Sequence, residues 1–147
     1  NLMRDLQDEL GVSFLFISHG LAVTQYVSQR IIIMYLGRIV EEAAASELFD
    51  NPLHPYTKGL IAAAPDPNDG PKEDVGVMLD GDLPSPLSPP PGCHFHTRCA
   101  FAVAECRQIV PQLRDAGPQR KVACHRAEEI ARDGFGLGAG ASYGVRG

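Results

Sequence analysis

Proline divides this chain. The first fifty residues contain none, whereas ten of the twelve prolines fall between Pro52 and Pro91. Each proline fixes φ and removes a backbone donor, so regular elements are expected on either side of this stretch and few within it. All four cysteines, Cys93, Cys99, Cys106 and Cys124, come after it. The last fourteen residues, from Gly134, contain six glycines and are not expected to pack. Four stretches follow. Residues 1–50 are periodic, 51–92 form a Pro-rich connecting segment with one helix, 93–133 carry the cysteines, and 134–147 form a tail expected to be disordered.

Composition excludes some classes of function. The chain has 147 residues, with 13 basic and 18 acidic side chains, and 13 − 18 gives a net charge of −5. That balance disfavours binding to a phosphate backbone, so no nucleic-acid partner is expected. The longest unbroken apolar run covers only residues 31–36, far short of the roughly 18 needed to cross a bilayer. The chain is therefore expected to be soluble or peripheral to a membrane. Asn1 is not an initiator and no export signal follows it. The chain is thus expected to be the C-terminal part of something longer, with its cysteines as thiols or metal ligands rather than disulfides.

Leu2, Met3, Leu6 and Leu10 recur near helical spacing and Gly11 follows where a helix would stop. Residues 12–18 are a short apolar run rich in branched and aromatic side chains, which predicts a strand buried on both faces, as in a parallel α/β sheet. A helix over 21–29 and a strand over 30–36 follow. Gly37 and Arg38 are then expected to turn the chain into 39–42 as an antiparallel hairpin. A helix is predicted from Pro55 to Ala64, because proline suits a first helical position, and 66–92 reads as a long connecting loop.

Three features carry chemistry. His19 stands at the carboxyl end of the predicted strand, the edge where open α/β sheets bind ligands, and its imidazole can hold a phosphate or an attacking water. The bland alternative is a histidine that satisfies a strand-end backbone group. His54, Pro55 and Tyr56 read as a helix start with a packed aromatic, His54 being structural. The cysteines are spaced C-x5-C, C-x6-C and C-x17-C. Four thiolates suit either tetrahedral zinc or a [4Fe–4S] cluster. No pair is as close as zinc knuckles favour, and spacing alone leaves cluster, zinc and no metal open. His94, His96 and His125 are reserve ligands.

In combination, FLFISHGLAV, RIIIMYLGRIVEE and ELFDNPLHPYTKGLIAAAP resemble the C-terminal half of the ATP-binding subunits of oligopeptide and dipeptide ABC transporters. The resemblance runs from Asn1 to about His125. It implies the C-terminal portion of a P-loop NTPase nucleotide-binding domain, of α/β class, followed by a small irregular extension. It also implies that His19 is the switch histidine, which reaches the ATP γ-phosphate and helps to hold the attacking water. The chain departs from the pattern at Gly20 and Gln29, where the family usually has aspartate, and at Ala43, Ala44 and Ala45, which replace a Gly-Pro-Thr-like turn after the hairpin.

For Cys93, Cys99, Cys106 and Cys124 the resemblance implies a [4Fe–4S] cluster, with zinc second. A structural role for that group is expected before an electron-transfer one, since metal binding can drive folding where the core is small. The implied full-length protein binds ATP with Mg²⁺ and works with a second ATP-binding subunit, transmembrane permease subunits and a peptide-binding protein. It sits peripherally on the cytoplasmic face of the membrane. No phosphate-binding G-x-x-x-x-G-K-[ST] loop occurs here, so the chain alone is expected neither to bind ATP tightly nor to hydrolyse it. The rival reading is a free-standing iron–sulfur or zinc module without ATPase activity.

Overall fold

The computed structural model describes residues 2–64 and 82–133. The expected tail 134–147 and most of the loop expected over 66–92 lie outside the described residues. The first helix, α1 (Leu2–Leu10), ends where glycine was expected to end it. Gly11 takes φ +61° and its N–H donates to Gln7 O at 2.9 Å, a left-handed stop that costs a glycine little. A second helix, α2, spans Leu21–Val27, its first turn closed by Thr24 donating to Gly20 O through both its N–H and its hydroxyl.

Between these helices the structure departs from the expectation. Residues 12–17 form no strand, and Phe14, Leu15, Phe16 and Ile17 are exposed. A strand covered on both faces needs strands beside it and helices over it, and among the described residues no element supplies them.

The next two elements meet the hairpin prediction. Strand β1 (Arg30–Tyr35) pairs antiparallel with β2 (Arg38–Ala44). The turn is Leu36–Gly37 rather than Gly37–Arg38, and both turn residues have positive φ, +43° and +77°, as a two-residue hairpin turn of right-handed twist requires. Residues alternate across β1, so Ile31, Ile33 and Tyr35 are buried while Ile32 and Met34 face out.

The register slips between Ile33 and Met34, which pair with Glu41 and Ile39 and leave Val40 as the extra residue of a bulge. The slip turns Val40 and Glu41 both inward. Val40 O is then available to accept the Ala123 N–H at 2.8 Å.

Helix α3 (Ala45–Asp50) follows directly, and α4 (Pro55–Ala63) begins with proline in its first turn, as predicted. The cysteine-bearing stretch adds a short helix α5 (Ala104–Gln108), strands β3 (Arg114–Asp115) and β4 (Lys121–Val122), and helix α6 (Ala127–Asp133). Strand β4 pairs with β2, giving one antiparallel sheet in the order β1-β2-β4-β3. The fold is thus mixed helix and strand around a small antiparallel sheet. Its main core joins Ile31, Ile33, Tyr35, Val40 and Leu48 to Phe95, with Tyr56 and Leu60 packed against it.

Candidate functional site

The cysteine site starts from a glycine. Gly92 takes φ +67°, and a Cβ there would lie 2.5 Å from Cys106 O, a distance no side chain tolerates. Glycine therefore lets the chain lie flat against α5, where the Cys93 N–H donates to Cys106 O at 2.8 Å. That bond ties the first cysteine to the third. Phe95, almost fully buried, then plugs the loop into the core. Its ring stands 5.2 Å from Tyr35, 5.3 Å from Tyr56 and 5.8 Å from His54. A single 3-10 turn, His96–Arg98, leads to Cys99. Cys124 follows β4, and Arg114 Nη2 donates to its carbonyl at 3.1 Å. Arg126 Nη1 in turn holds Phe101 O at 2.8 Å.

The four cysteines are free thiols and all line one cavity of about 20 Å³, together with His54, His96 and His125. Burial pushes the Cys93 thiol up, and carries Cys99 to about 11 and Cys124 to about 12. Backbone N–H groups directed at the sulfurs oppose this, those of Phe95 and His96 at Cys93, Phe101 at Cys99 and Arg126 at Cys124. The sulfurs also repel one another as anions, each of the three feeling its neighbours. One buried and three half-buried cysteines on one cavity, three of them with N–H donors aimed at their sulfurs and with the Arg126 guanidinium close enough to act on Cys99, Cys106 and Cys124, suit a thiolate-ligated group that brings positive charge. As they stand, no three His, Cys, Asp or Glu side chains among the described residues are grouped to hold a single metal ion.

The histidines differ in what their rings can offer. His94 Nδ1 donates to Leu36 O at 3.3 Å and its Nε2 accepts from Arg38 Nε at 3.2 Å, so neither nitrogen is available as a ligand. His96 Nδ1 donates to Cys93 O at 2.8 Å, which leaves a lone pair on Nε2, the arrangement a ligating imidazole has. His125 Nε2 donates to Ile109 O at 3.0 Å, with Glu105 3.6 Å from Nδ1. His54 is the reverse case, because its Nδ1 accepts the Tyr56 N–H at 3.0 Å and caps α4. Burial carries its pKa down to about 3, so the ring is neutral and its proton sits on Nε2.

Sequence reasoning missed the group that holds this site to the hairpin. Glu41 is completely buried. Its Oε1 accepts from Leu53 N–H and Arg120 Nη2, both at 2.9 Å, and its Oε2 accepts from His54 N–H at 2.9 Å. Arg120 reaches on to Glu47 at 2.8 Å and to Asn51 O. One carboxylate thus joins β2, the start of α4 and the turn before β4. The signal was a charged residue inside an apolar strand, but only the bulge at Val40 turns it inward.

His19 is exposed on the irregular connection between α1 and α2, where Gly20 N–H donates to Ser18 Oγ at 2.9 Å. It does not line the cysteine cavity. A larger open depression of about 690 Å³ beside α1, lined by residues such as Gln7, Gly11 and Gln29, does not include it either.

Comparison with known proteins bears on these stretches. Residues 40–106, from the bulge of β2 to Cys106, match the family described as the oligopeptide/dipeptide transporter C-terminal region. A Brucella ovis protein named for peptide import ATP binding is 48% identical over 126 residues, 86% of this chain and 39% of that protein. The dipeptide transport ATP-binding protein DppF of Escherichia coli is 46% identical over 129 residues, 88% of this chain and 38% of its own. The oligopeptide transport ATP-binding protein AppF of Bacillus subtilis is 45% identical over 126 residues, 85% and 38% of the two chains. The chain spans about two fifths of the length of these curated relatives. The segment 40–106 is thus similar to the C-terminal region of the oligopeptide/dipeptide transporter family, and the chain resembles part of the ATP-binding proteins DppF and AppF.

Proposed function

We propose that this chain is the C-terminal portion of the ATP-binding, energy-coupling subunit of an ABC importer for peptides. The observation that carries the reading is identity of 45 to 48% over at least 126 residues with three proteins named for peptide-import ATP binding. In this reading residues 1–50 are the end of a P-loop nucleotide-binding domain, 51–92 connect it, and 93–133 form an extension fastened to it by Glu41 and Arg120. ATP with Mg²⁺ is bound by the full-length protein, between this subunit and a second ATP-binding subunit. Transmembrane permease subunits and a peptide-binding protein complete the transporter, with this subunit peripheral on the cytoplasmic face. No helix among the described residues is long and apolar enough to cross a membrane.

His19 is the residue that contacts the ATP γ-phosphate and helps to position the attacking water, acting by orientation and charge rather than by covalent chemistry. The test is ATP turnover by the full-length subunit. His19→Ala is expected to lower turnover by on the order of 10²- to 10³-fold, as loss of a charge-stabilising donor does, with nucleotide binding retained. Unchanged turnover sinks the assignment. The 147-residue chain by itself is expected to show no turnover.

Cys93, Cys99, Cys106 and Cys124 would hold a [4Fe–4S] cluster, which supplies the positive charge that stabilises their thiolates. Zinc is the second choice. Zinc draws four sulfurs to about 2.3 Å from one point, whereas a cluster spreads its thiolates over four irons. Four cysteines around one cavity supply the donor set that either group needs, and their wide spacing in sequence favours the cluster.

A further inference from the structure

Four histidines lie in or beside the cysteine stretch, and three of them spend a ring N–H on a backbone carbonyl. His94, His96 and His125 donate to Leu36 O, Cys93 O and Ile109 O. His54 does the opposite. Its Nδ1 accepts from the Tyr56 N–H at 3.0 Å, so in the neutral ring the N–H is on Nε2 and is directed away from the cap. The residue is 1% exposed and lines the same cavity as the four cysteines. It is also held in place. Its own backbone N–H is bound by the buried Glu41 carboxylate at 2.9 Å, the cap fixes one edge of the ring, and Phe95 packs against its face with centroids 5.8 Å apart.

We propose that His54 is a positioning residue that donates its Nε2–H to the thiolate-ligated group held by Cys93, Cys99, Cys106 and Cys124. The proposal rests on the reading that those cysteines hold a metal group. One imidazole then serves two structures, with Nδ1 capping α4 and the Nε2–H serving the group in the cavity that His54 and the cysteines line. Hydrogen bonds to ligating sulfurs stabilise their negative charge, favour the reduced state and tighten the group. The capping half of this role belongs to the His-Pro-Tyr turn alone. The donor half links that turn to a site formed about forty to seventy residues later in the chain.

Two substitutions separate the halves. In His54→Asn the amide oxygen stands close to the position of Nδ1 and keeps the cap, but no donor reaches as far as Nε2. In His54→Gln the amide nitrogen stands close to Nε2 and keeps the donor, while the cap is weakened. The full chain and both variants are loaded anaerobically with equal parts of ferrous and ferric iron and with sulfide, which balances a [4Fe–4S] core. Midpoint potential and resistance to an iron chelator are then read, and thermal unfolding of the unloaded proteins reports the cap.

His54→Asn is expected to melt near the parent, to show a more negative potential, and to lose metal affinity about 10- to 100-fold, as loss of an outer-shell partner does. His54→Gln is expected to keep the potential while melting lower. The proposal is overturned if His54→Asn keeps the parent's potential and chelator resistance, because His54 is then only a helix cap. If the parent chain takes up no iron, and Cys93→Ser behaves as the parent does, the metal reading falls and takes this proposal with it. That result appears in the parent itself, so the two failures are distinguishable.

Discussion

In β1, Ile31, Ile33 and Tyr35 are all at least nine-tenths buried, whereas in the equally apolar run 12–17, Leu15 and Ile17 are about nine-tenths exposed. The two segments carry similar side chains and lie less than twenty residues apart. They differ in where their partners come from. β1 finds β2 across a two-residue turn, and its inner face is then closed by α3, Tyr56 and Phe95. Residues 12–17 belong to a pattern whose partners must come from farther away, and none of the described elements is placed to cover them. Under the proposed function those partners belong to the remaining three fifths of the length seen in the relatives. Apolar sequence specifies that a segment wants burial, and a nearby partner decides whether it gets it in this chain.

The comparison breaks most sharply at Glu41. If the hairpin and extension are one self-sufficient unit, removing the carboxylate that joins them strands Arg120 and two backbone N–H groups in the core. Glu41→Ala is therefore expected to cost about 3 to 5 kcal/mol and, in a unit this small, to unfold most of it. Denaturant unfolding checks this. A loss below about 1 kcal/mol would mean that the hairpin and the extension fold independently of each other.

The same region has a specific acid response. His54 binds protons more readily unfolded than folded, since its folded pKa of about 3 lies below the ordinary 6.5. Between those values the unfolded state carries the extra proton, so stability rises with pH, is fully present above about 6.5, and is lost as pH falls toward 3. The slope from this one group approaches about 1.4 kcal/mol per pH unit within that window. Carboxylates titrate in its lower half, so the informative measurement is the difference between parent and His54→Asn across pH 4.5 to 6.5. His54→Asn is expected to be flatter there, and equal slopes would place His54 outside the core that the hairpin and extension share.

Gly92 tests the join at the level of a single methyl. Gly92→Ala puts a Cβ 2.5 Å from Cys106 O in a left-handed backbone, for which about 1 to 3 kcal/mol is expected from overpacking. Because the Cys93 to Cys106 bond is what moves, iron uptake is expected to fall along with the melting temperature. Unchanged uptake would mean that the cysteines assemble without that contact.

How far the sequence could be read depended on range. The hairpin, the stop at Gly11 and the start of α4 at Pro55 are local and were legible, because turn and cap chemistry act over two to four residues. His54 was legible as structural, yet its Nδ1 cap and its place on the cysteine cavity were not. The same limit hid Glu41 and Arg120, separated by seventy-nine positions, since nothing local distinguishes a buried ion pair from two surface charges. The spacing of the cysteines gave a candidate set but not a cavity. Convergence there depends on Gly92, Phe95 and the β2–β4 pairing, which are contacts between stretches that read as separate.

The smallest expected effect sits in the other half of the comparison. Ile17→Ser removes a large apolar group that is already about nine-tenths exposed in this chain, so stability of the 147-residue chain should change by less than about 0.5 kcal/mol. Under the proposed function, the same substitution in a full-length ATP-binding subunit is expected to cost several times more, because there residues 12–18 would form the buried strand that their sequence predicts, with His19 held at its end. Two parallel unfolding series, one on the chain and one on the full-length subunit, measure the difference directly. A large loss in the chain would mean that residues 12–17 already pack against the described core. A negligible loss in both would mean that the strand never forms, and His19 would then lack the rigid support that contact with a γ-phosphate requires.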